Sequence, residues 1–207
     1  GKMLILQLSD KMAPSIDIIY PLNGSWFSNA TQTINYTVSD NNLESCWYTN
    51  SSGKVNNTII CGNNLTNYEW LEGINNITIY ANDSAGNANF SSVTFFVDTI
   101  NPLINLTYPL NAIYGEVTSL NYTVFDTNLR ACWYSLNLGV DNITIACGTN
   151  ATGLTSNEGS NTWRVYANDS AGNVNFSSVT FTVSPSPKIP YTKLNSPLDA
   201  SVFWTNI

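Results

Sequence analysis

Four cysteines stand in two pairs, Cys46 with Cys61 and Cys132 with Cys147, with fourteen residues between the members of each pair. If Cys46–Tyr48 and Thr58–Cys61 pair antiparallel, a register centred between Gly53 and Lys54 sets Cys46 opposite Cys61. The same arithmetic sets Cys132 opposite Cys147, with Gly139 at the tip. A disulfide across a hairpin is feasible at a close, non-hydrogen-bonded pair, and closing so short a loop contributes about 3 kcal/mol on the chain-entropy model. The alternative is reduced, buried thiols. Zinc is disfavoured further, because the chain has no His and no closely spaced Cys pair.

A second chemistry belongs to asparagine. Asn-x-Ser/Thr sequons begin at Asn23, Asn29, Asn35, Asn50, Asn56, Asn64, Asn76, Asn82, Asn89, Asn105, Asn121, Asn142, Asn150, Asn168 and Asn175. Random placement of the chain's 31 Asn and 44 Ser plus Thr gives roughly six or seven, so fifteen is an excess. A strand with Asn and Thr on its wet face writes Asn-x-Thr without any selection for sugar, as at Asn76-Ile77-Thr78. That geometry also exposes the Asn, so covalent N-glycans are expected at several sites, with Asn35, Asn76, Asn121 and Asn142 among the outward positions.

Asp98 and Asp83, with their counterparts Asp10 and Asp169, could hold Ca²⁺ near a domain junction. The ion takes six to eight oxygens, and no local run supplies several acidic ligands as an EF-hand loop does. Asp serving the backbone of a turn is the favoured reading, so no metal and no cofactor besides covalent glycan is expected. Catalysis has little support: there is no His, no Gly-x-Ser-x-Gly elbow, no phosphate-cradling Gly loop and no Cys beside a plausible base. The expectation is a protein that is not an enzyme.

The elements that carry these residues recur. Tyr20-Pro21-Leu22-Asn23 returns as Tyr108-Pro109-Leu110-Asn111, and Ser196-Pro197-Leu198-Asp199 follows at the same spacing. Asn35-Tyr36-Thr37-Val38 matches Asn121-Tyr122-Thr123-Val124, Cys46-Trp47-Tyr48 matches Cys132-Trp133-Tyr134, and Tyr80–Asn87 matches Tyr166–Asn173 without a substitution. So long a period means an array of whole domains. The phase predicts that residues 1–13 hold the last strand of a preceding or swapped repeat plus a linker. Residues 14–101 and 102–187 are then two domains, and 188–207 the first strand of a third, incomplete repeat. Met3–Ser9 is expected to pair with a neighbouring copy or domain.

Period-two alternation marks the strands: Ile34, Tyr36, Val38; Ile77, Ile79, Ala81; Val93, Phe95, Val97; and in the second repeat Leu120, Tyr122, Val124; Trp163, Val165, Ala167; Val179, Phe181, Val183. About seven short antiparallel strands per repeat, with Asn, Gly, Ser and Asp turns and no helical period, predict an all-β fold of tandem immunoglobulin-like sandwiches. Asp83–Asn87 is the turn between the last two strands, with Gly86 free to take positive φ. Trp47 and Trp133 each neighbour a cysteine, so only one of disulfide and Trp can face the core. Ile59 and Ile145 share the cysteine face and tilt the choice toward the disulfide, with each Trp read as packing and a carbohydrate-stacking role as the alternative.

Only 10% of the 207 residues are charged and the net charge is −7, with seven Lys and Arg scattered. Nucleic acid is therefore not an expected partner. No apolar run is long enough to span a bilayer and Gly1–Asp10 lacks signal-peptide order, so targeting and anchoring segments of an exported protein would lie outside this sequence.

Cys-Trp-Tyr, a second Cys after a hairpin, Tyr-Ala-Asn-Asp-Ser-Ala-Gly-Asn and Ser-Ser-Val-Thr-Phe-Phe-Val-Asp together resemble the Ig-like repeats of large archaeal and bacterial surface proteins. The resemblance implies an Ig-like fold, a cell-surface address and a stalk, fibre or adhesin role, with no catalytic residue to carry over. The leading expectation is a structural subunit of an extracellular glycosylated filament, its partners being other copies or neighbouring repeats. An adhesin recognising glycans or partner cells, through aromatics such as Tyr80 and Tyr166, and a spacer of a larger surface enzyme are the alternatives.

Overall fold

The computed structural model describes residues 10–50 and 53–184; the expected terminal strands, at 3–9 and 188–207, lie outside them. The first repeat contains β1 (Ser15–Tyr20), β2 (Trp26–Phe27), β3 (Thr31–Ser39), β4 (Leu43–Asn50), β5 (Gly53–Ile59), β6 (Leu65–Glu69), β7 (Gly73–Asp83) and β8 (Ala88–Val97). They form one sheet of order β1-β3-β6 and another of order β2-β8-β7-β4-β5. The second repeat contains β9 (Leu103–Tyr108), β10 (Ile113–Tyr114), β11 (Ser119–Phe125), β12 (Leu129–Ser135), β13 (Ile143–Ile145), β14 (Ala151–Thr152), β15 (Gly159–Asp169) and β16 (Val174–Val183). Its sheets, β14-β11-β9 and β10-β16-β15-β12-β13, reproduce the first strand for strand. The chain is thus all-β, a tandem of Ig-like sandwiches whose long strands pair antiparallel. Beyond the expected strands, a two-residue strand in each repeat pairs parallel with the last one, Trp26 with Phe96 and Ile113 with Thr182.

The alternating apolar residues are the ones the sheets bury. Ile34, Ile77, Ile79 and Phe95 are fully buried in the first core; Leu120, Trp163 and Val165 are so in the second. Val38, Val124 and Val179 pack only partly. The repeats fill the same space differently. Trp70, just past β6, meets Phe95 edge-on at 4.9 Å, and Trp163, on β15, meets the equivalent Phe181 at 4.9 Å. The counterpart of Trp70 is Ser156, and that of Trp163 is Ile77, so one indole moves between two backbone positions while its pocket stays.

Both disulfides form, Cys46–Cys61 and Cys132–Cys147, with Cα–Cα distances of 5.2 and 5.1 Å. The register differs from the expected one: Cys46 pairs with Ile59 and Cys132 with Ile145. Cys61 lies beyond β5 in a turn closed by Asn63 N–H donating to Ile60 O. The hydroxyl of Tyr36 donates to Ile60 O and accepts from Gly62 N–H, drawing that turn over the core. Burial raises the Tyr36 phenol above its ordinary pKa, with the Gly62 N–H pulling the other way. A slip of two residues keeps every side chain on its face, so the disulfide still points inward. Cys46 and Cys132 are buried, and each neighbouring Trp packs on the outer face instead.

Candidate functional site

The Asp83–Asn87 turn is held from inside. Asp83 Oδ1 accepts from the backbone N–H groups of Ala85 and Asn87, and its Oδ2 accepts from Asn87 Nδ2 at 2.7 Å. Gly86 has φ +88°, which a side chain would strain. The Asn87 amide, backed by those backbone donors, holds the Asp83 carboxyl below its ordinary value. So fixed, Asn87 Nδ2 also reaches the incoming chain, donating to Asp10 O at 3.1 Å and Met12 O at 3.4 Å. Asn89 Nδ2 donates to Pro14 O at 2.9 Å, and Asn42 Nδ2 to Asp10 Oδ2 at 2.9 Å.

The second repeat makes the same clasp on the chain that leaves the first. Asn173 Nδ2 donates to Asp98 O at 2.7 Å and Ile100 O at 3.4 Å, Asn175 Nδ2 to Pro102 O at 2.8 Å, and Asn128 Nδ2 to Asp98 Oδ2 at 2.9 Å. On its other side the linker is tied back, with Thr99 N–H donating to Glu72 and Asp98 N–H to Phe27 O. The segment between β8 and β9 is therefore held by both repeats.

Three carboxylates meet at each clasp, Asp10, Asp40 and Asp83 in one and Asp98, Asp126 and Asp169 in the other, all within 4.8 Å of one another. The four acids expected near the junctions are there. Asp40 and Asp126, in the β3–β4 and β11–β12 connections, were not anticipated; their signal is an Asp-x-Asn that recurs with the repeat. Each set could offer a divalent cation one oxygen per residue, well short of six to eight. Each acid also serves backbone or side-chain donors, for example Asp98 Oδ1 for Ile100 N–H and Asp126 Oδ1 for Asn128 N–H.

Burial raises the Asp126 carboxyl, and the charges of Asp98 and Asp169 raise it further against the Asn128 N–H. A group whose folded pKa is raised stabilises the fold while protonated, and that contribution is lost as pH climbs through its folded value. Asp126→Asn keeps the acceptor for Asn128 and removes the charge. In metal-free buffer at pH 7 it should raise the melting temperature by a few degrees, and the gain should vanish as pH falls below the ordinary aspartate value of about 3.9. Scanning calorimetry of both proteins checks this; destabilisation by the substitution only when millimolar Ca²⁺ is added would show the carboxylates to be ion ligands instead.

The outer face of each five-stranded sheet carries an aromatic row. Trp47 stacks on Tyr80 at 5.4 Å and 1°, and Tyr80 lies 5.8 Å from Phe90; Trp133 stacks on Tyr166 at 5.5 Å and 4°, and Tyr166 lies 5.6 Å from Phe176. These are cross-strand neighbours, Trp47 opposite Tyr80 and Tyr80 opposite Phe90. Phe90 and Phe176 remain exposed, and the Arg164 guanidinium lies 5.0 Å from the Phe176 ring.

The sequons divide by surroundings. Asn23, Asn29, Asn56, Asn64, Asn89, Asn105, Asn142 and Asn150 are exposed, while Asn35, Asn50, Asn76, Asn82, Asn121, Asn168 and Asn175 are half-buried. Asn76, expected to point outward, spends its Nδ2 on Ser92, Val93 and Thr94, and Asn82 donates to Glu44.

Residues 14–99 match the family described as glucodextranase, domain B. No curated protein matches the chain. Among solved structures, the fibronectin(III)-like modules of Clostridium thermocellum CbhA are similar at 18% identity over 83% of this chain and 95% of theirs, with a TM-score of 0.47. Extracellular domains 3–5 of Drosophila OTK are similar at 10% identity over 82% of this chain and 62% of theirs, with a TM-score of 0.53. Shared strand order in two repeats, together with the last of these likenesses, makes the chain a tandem of Ig-like β-sandwiches whose residues 14–99 are similar to glucodextranase domain B.

Proposed function

We propose that the chain is a structural segment of an extracellular, glycosylated stalk, filament or fibre of head-to-tail Ig-like repeats, of the archaeal-type surface kind, with no catalytic role of its own. The observation that carries this reading is the clasp. Three asparagines at equivalent positions, Asn42/Asn128, Asn87/Asn173 and Asn89/Asn175, bind the incoming linker at both junctions, and Asp83/Asp169 hold the second of them in place. Freely jointed modules have no need to fix the linker, whereas a stalk does. Two disulfides and a surface poor in charge support an oxidising, extracellular setting, and among the described residues no helix is long and apolar enough to cross a membrane. Its partners in this reading are neighbouring repeats of the same chain or other copies.

The match of residues 14–99 to a domain named for glucodextranase favours one second reading, a spacer in a larger surface enzyme, in which the clasp would hold a catalytic domain away from the surface. Electron microscopy of the native material separates the two. Long beaded fibres are expected; isolated molecules ending in a large globular domain would favour the spacer.

A further inference from the structure

Five sequons occur at the same place in both repeats: Asn35/Asn121, Asn56/Asn142, Asn64/Asn150, Asn82/Asn168 and Asn89/Asn175. Their chemistry diverges at Nδ2, the atom a glycan would occupy. The amides of Asn89 and Asn175 are used at both ends: Nδ2 donates to the linker carbonyls of Pro14 and Pro102, and Oδ1 accepts from the backbone N–H of Phe90 and Phe176 at 2.9 Å. That second bond fixes the side chain with its nitrogen against the linker, so a glycan on Nδ2 would break the tie.

Asn56 and Asn142 are placed oppositely. Both are exposed, on the edge strand β5 and immediately before the edge strand β13. Each stands two residues ahead of a Thr whose cross-strand partner is the Trp of the aromatic row, Thr58 opposite Trp47 and Thr144 opposite Trp133. Diagonal positions of this kind lie roughly 7–8 Å apart, about the span of an amide-linked pyranose. In the second repeat the hairpin tip closes onto the row itself: a Cβ on Gly139 would come within 2.7 Å of Tyr166 Oη, and Arg164 donates to Leu138 O. Asn142 leaves that tip beside Trp133. The half-buried Trp of each repeat and the exposed Phe90 offer apolar ring surface, and the C–H face of a pyranose packs on such surface.

We propose that Asn56 and Asn142 carry N-linked glycans whose first sugar seats on the Trp end of the Trp–Tyr–Phe row of its own repeat, while Asn89 and Asn175, sequons by sequence, remain bare as ties of the linker. The inference rests on the glycosylated surface reading above. The donor is a lipid diphosphate-linked oligosaccharide. A bond forms between its anomeric carbon and Asn Nδ2, the bond from that carbon to the diphosphate breaks, the lipid diphosphate leaves with the electron pair, and Nδ2 loses one proton.

The test is the full 207-residue chain made in a host that N-glycosylates exported proteins, with occupancy at each sequon read by glycopeptide mass spectrometry. Asn56 and Asn142 should be mostly occupied and Asn89 and Asn175 unoccupied. The glycosylated chain should melt a few degrees above its Asn56→Gln/Asn142→Gln variant, and that difference should vanish in a Trp47→Thr/Trp133→Thr background with occupancy unchanged. Sugar on Asn89 or Asn175 of the folded chain, bare Asn56 and Asn142 beside other occupied sequons, or a melting difference that ignores the Trp substitutions would each overturn the assignment. A chain bare at every sequon would overturn the glycosylated reading as well.

Discussion

Trp163→Ala should cost the second repeat about 3–5 kcal/mol, a large share of what a domain of this size has, and leave it mostly unfolded under conditions where the first repeat still melts normally. Trp163 is fully buried, faces Phe181 edge-on and sits at the centre of a core that includes Leu120, Val165 and Val183. The first repeat gives the sharper version of the test, because its indole enters the equivalent pocket from Trp70. Trp70→Ser opens a cavity there, and Ile77→Trp alone overpacks it. Together they rewrite the first core in the second's pattern, so the double variant should be more stable than either single one, with a coupling of about 1–3 kcal/mol. Urea unfolding of the four proteins measures it. Strictly additive losses would mean that the two indoles do not share one pocket.

Removing the clasp should leave both sandwiches folded and free their relative motion. Asn128→Ala, Asn173→Ala and Asn175→Ala delete the side-chain ties to Asp98, Ile100 and Pro102. At about 1 kcal/mol net for each of the three, the ratio of closed to open junction should fall by about two orders of magnitude. Amide hydrogen exchange would show the linker amide of Ile100, which donates to the Asp98 carboxylate that Asn128 holds, losing protection while those of β15 keep theirs. Unchanged linker protection in the triple variant would mean that packing alone fixes the junction.

Much of this was legible in the sequence for physical reasons. Alternation along β7 and β15 is a strong signal because one face is buried at every second residue. Repetition of whole motifs set out the two equivalent repeats. The pairing of Cys46 with Cys61 was legible but its register was not, since Tyr36 reaches across the sandwich to pull the turn at Ile60–Gly62 inward, and a two-residue slip is silent in an alternating pattern. The direction of Trp47 followed from its neighbour Cys46; its stacking on Tyr80 required knowing that β4 and β7 adjoin. Asp83 and Asn87 read as turn residues, which they are. Their second task is invisible locally, because the partner carbonyls of Asp10 and Met12 lie more than seventy residues away. Asp40 and Asp126 were hidden for the same reason. The exchange of Trp70 and Ile77 for Ser156 and Trp163 escapes any comparison of identities, since it preserves a volume and not a residue. Sequons were countable, but which Nδ2 is already engaged is a property of the fold.

The stalk reading stands or falls on whether the two repeats move as one body. Residual dipolar couplings of backbone amides, measured for β1–β8 and β9–β16 in one weakly aligned sample of the oxidised chain, report this directly. A clasped junction predicts a single alignment tensor, equal in size and direction for both repeats, that splits into two in the Asn128/Asn173/Asn175 triple-alanine variant. Two tensors of clearly different magnitude in the unsubstituted chain would mean freely jointed domains, and would contradict a stalk built by this linker.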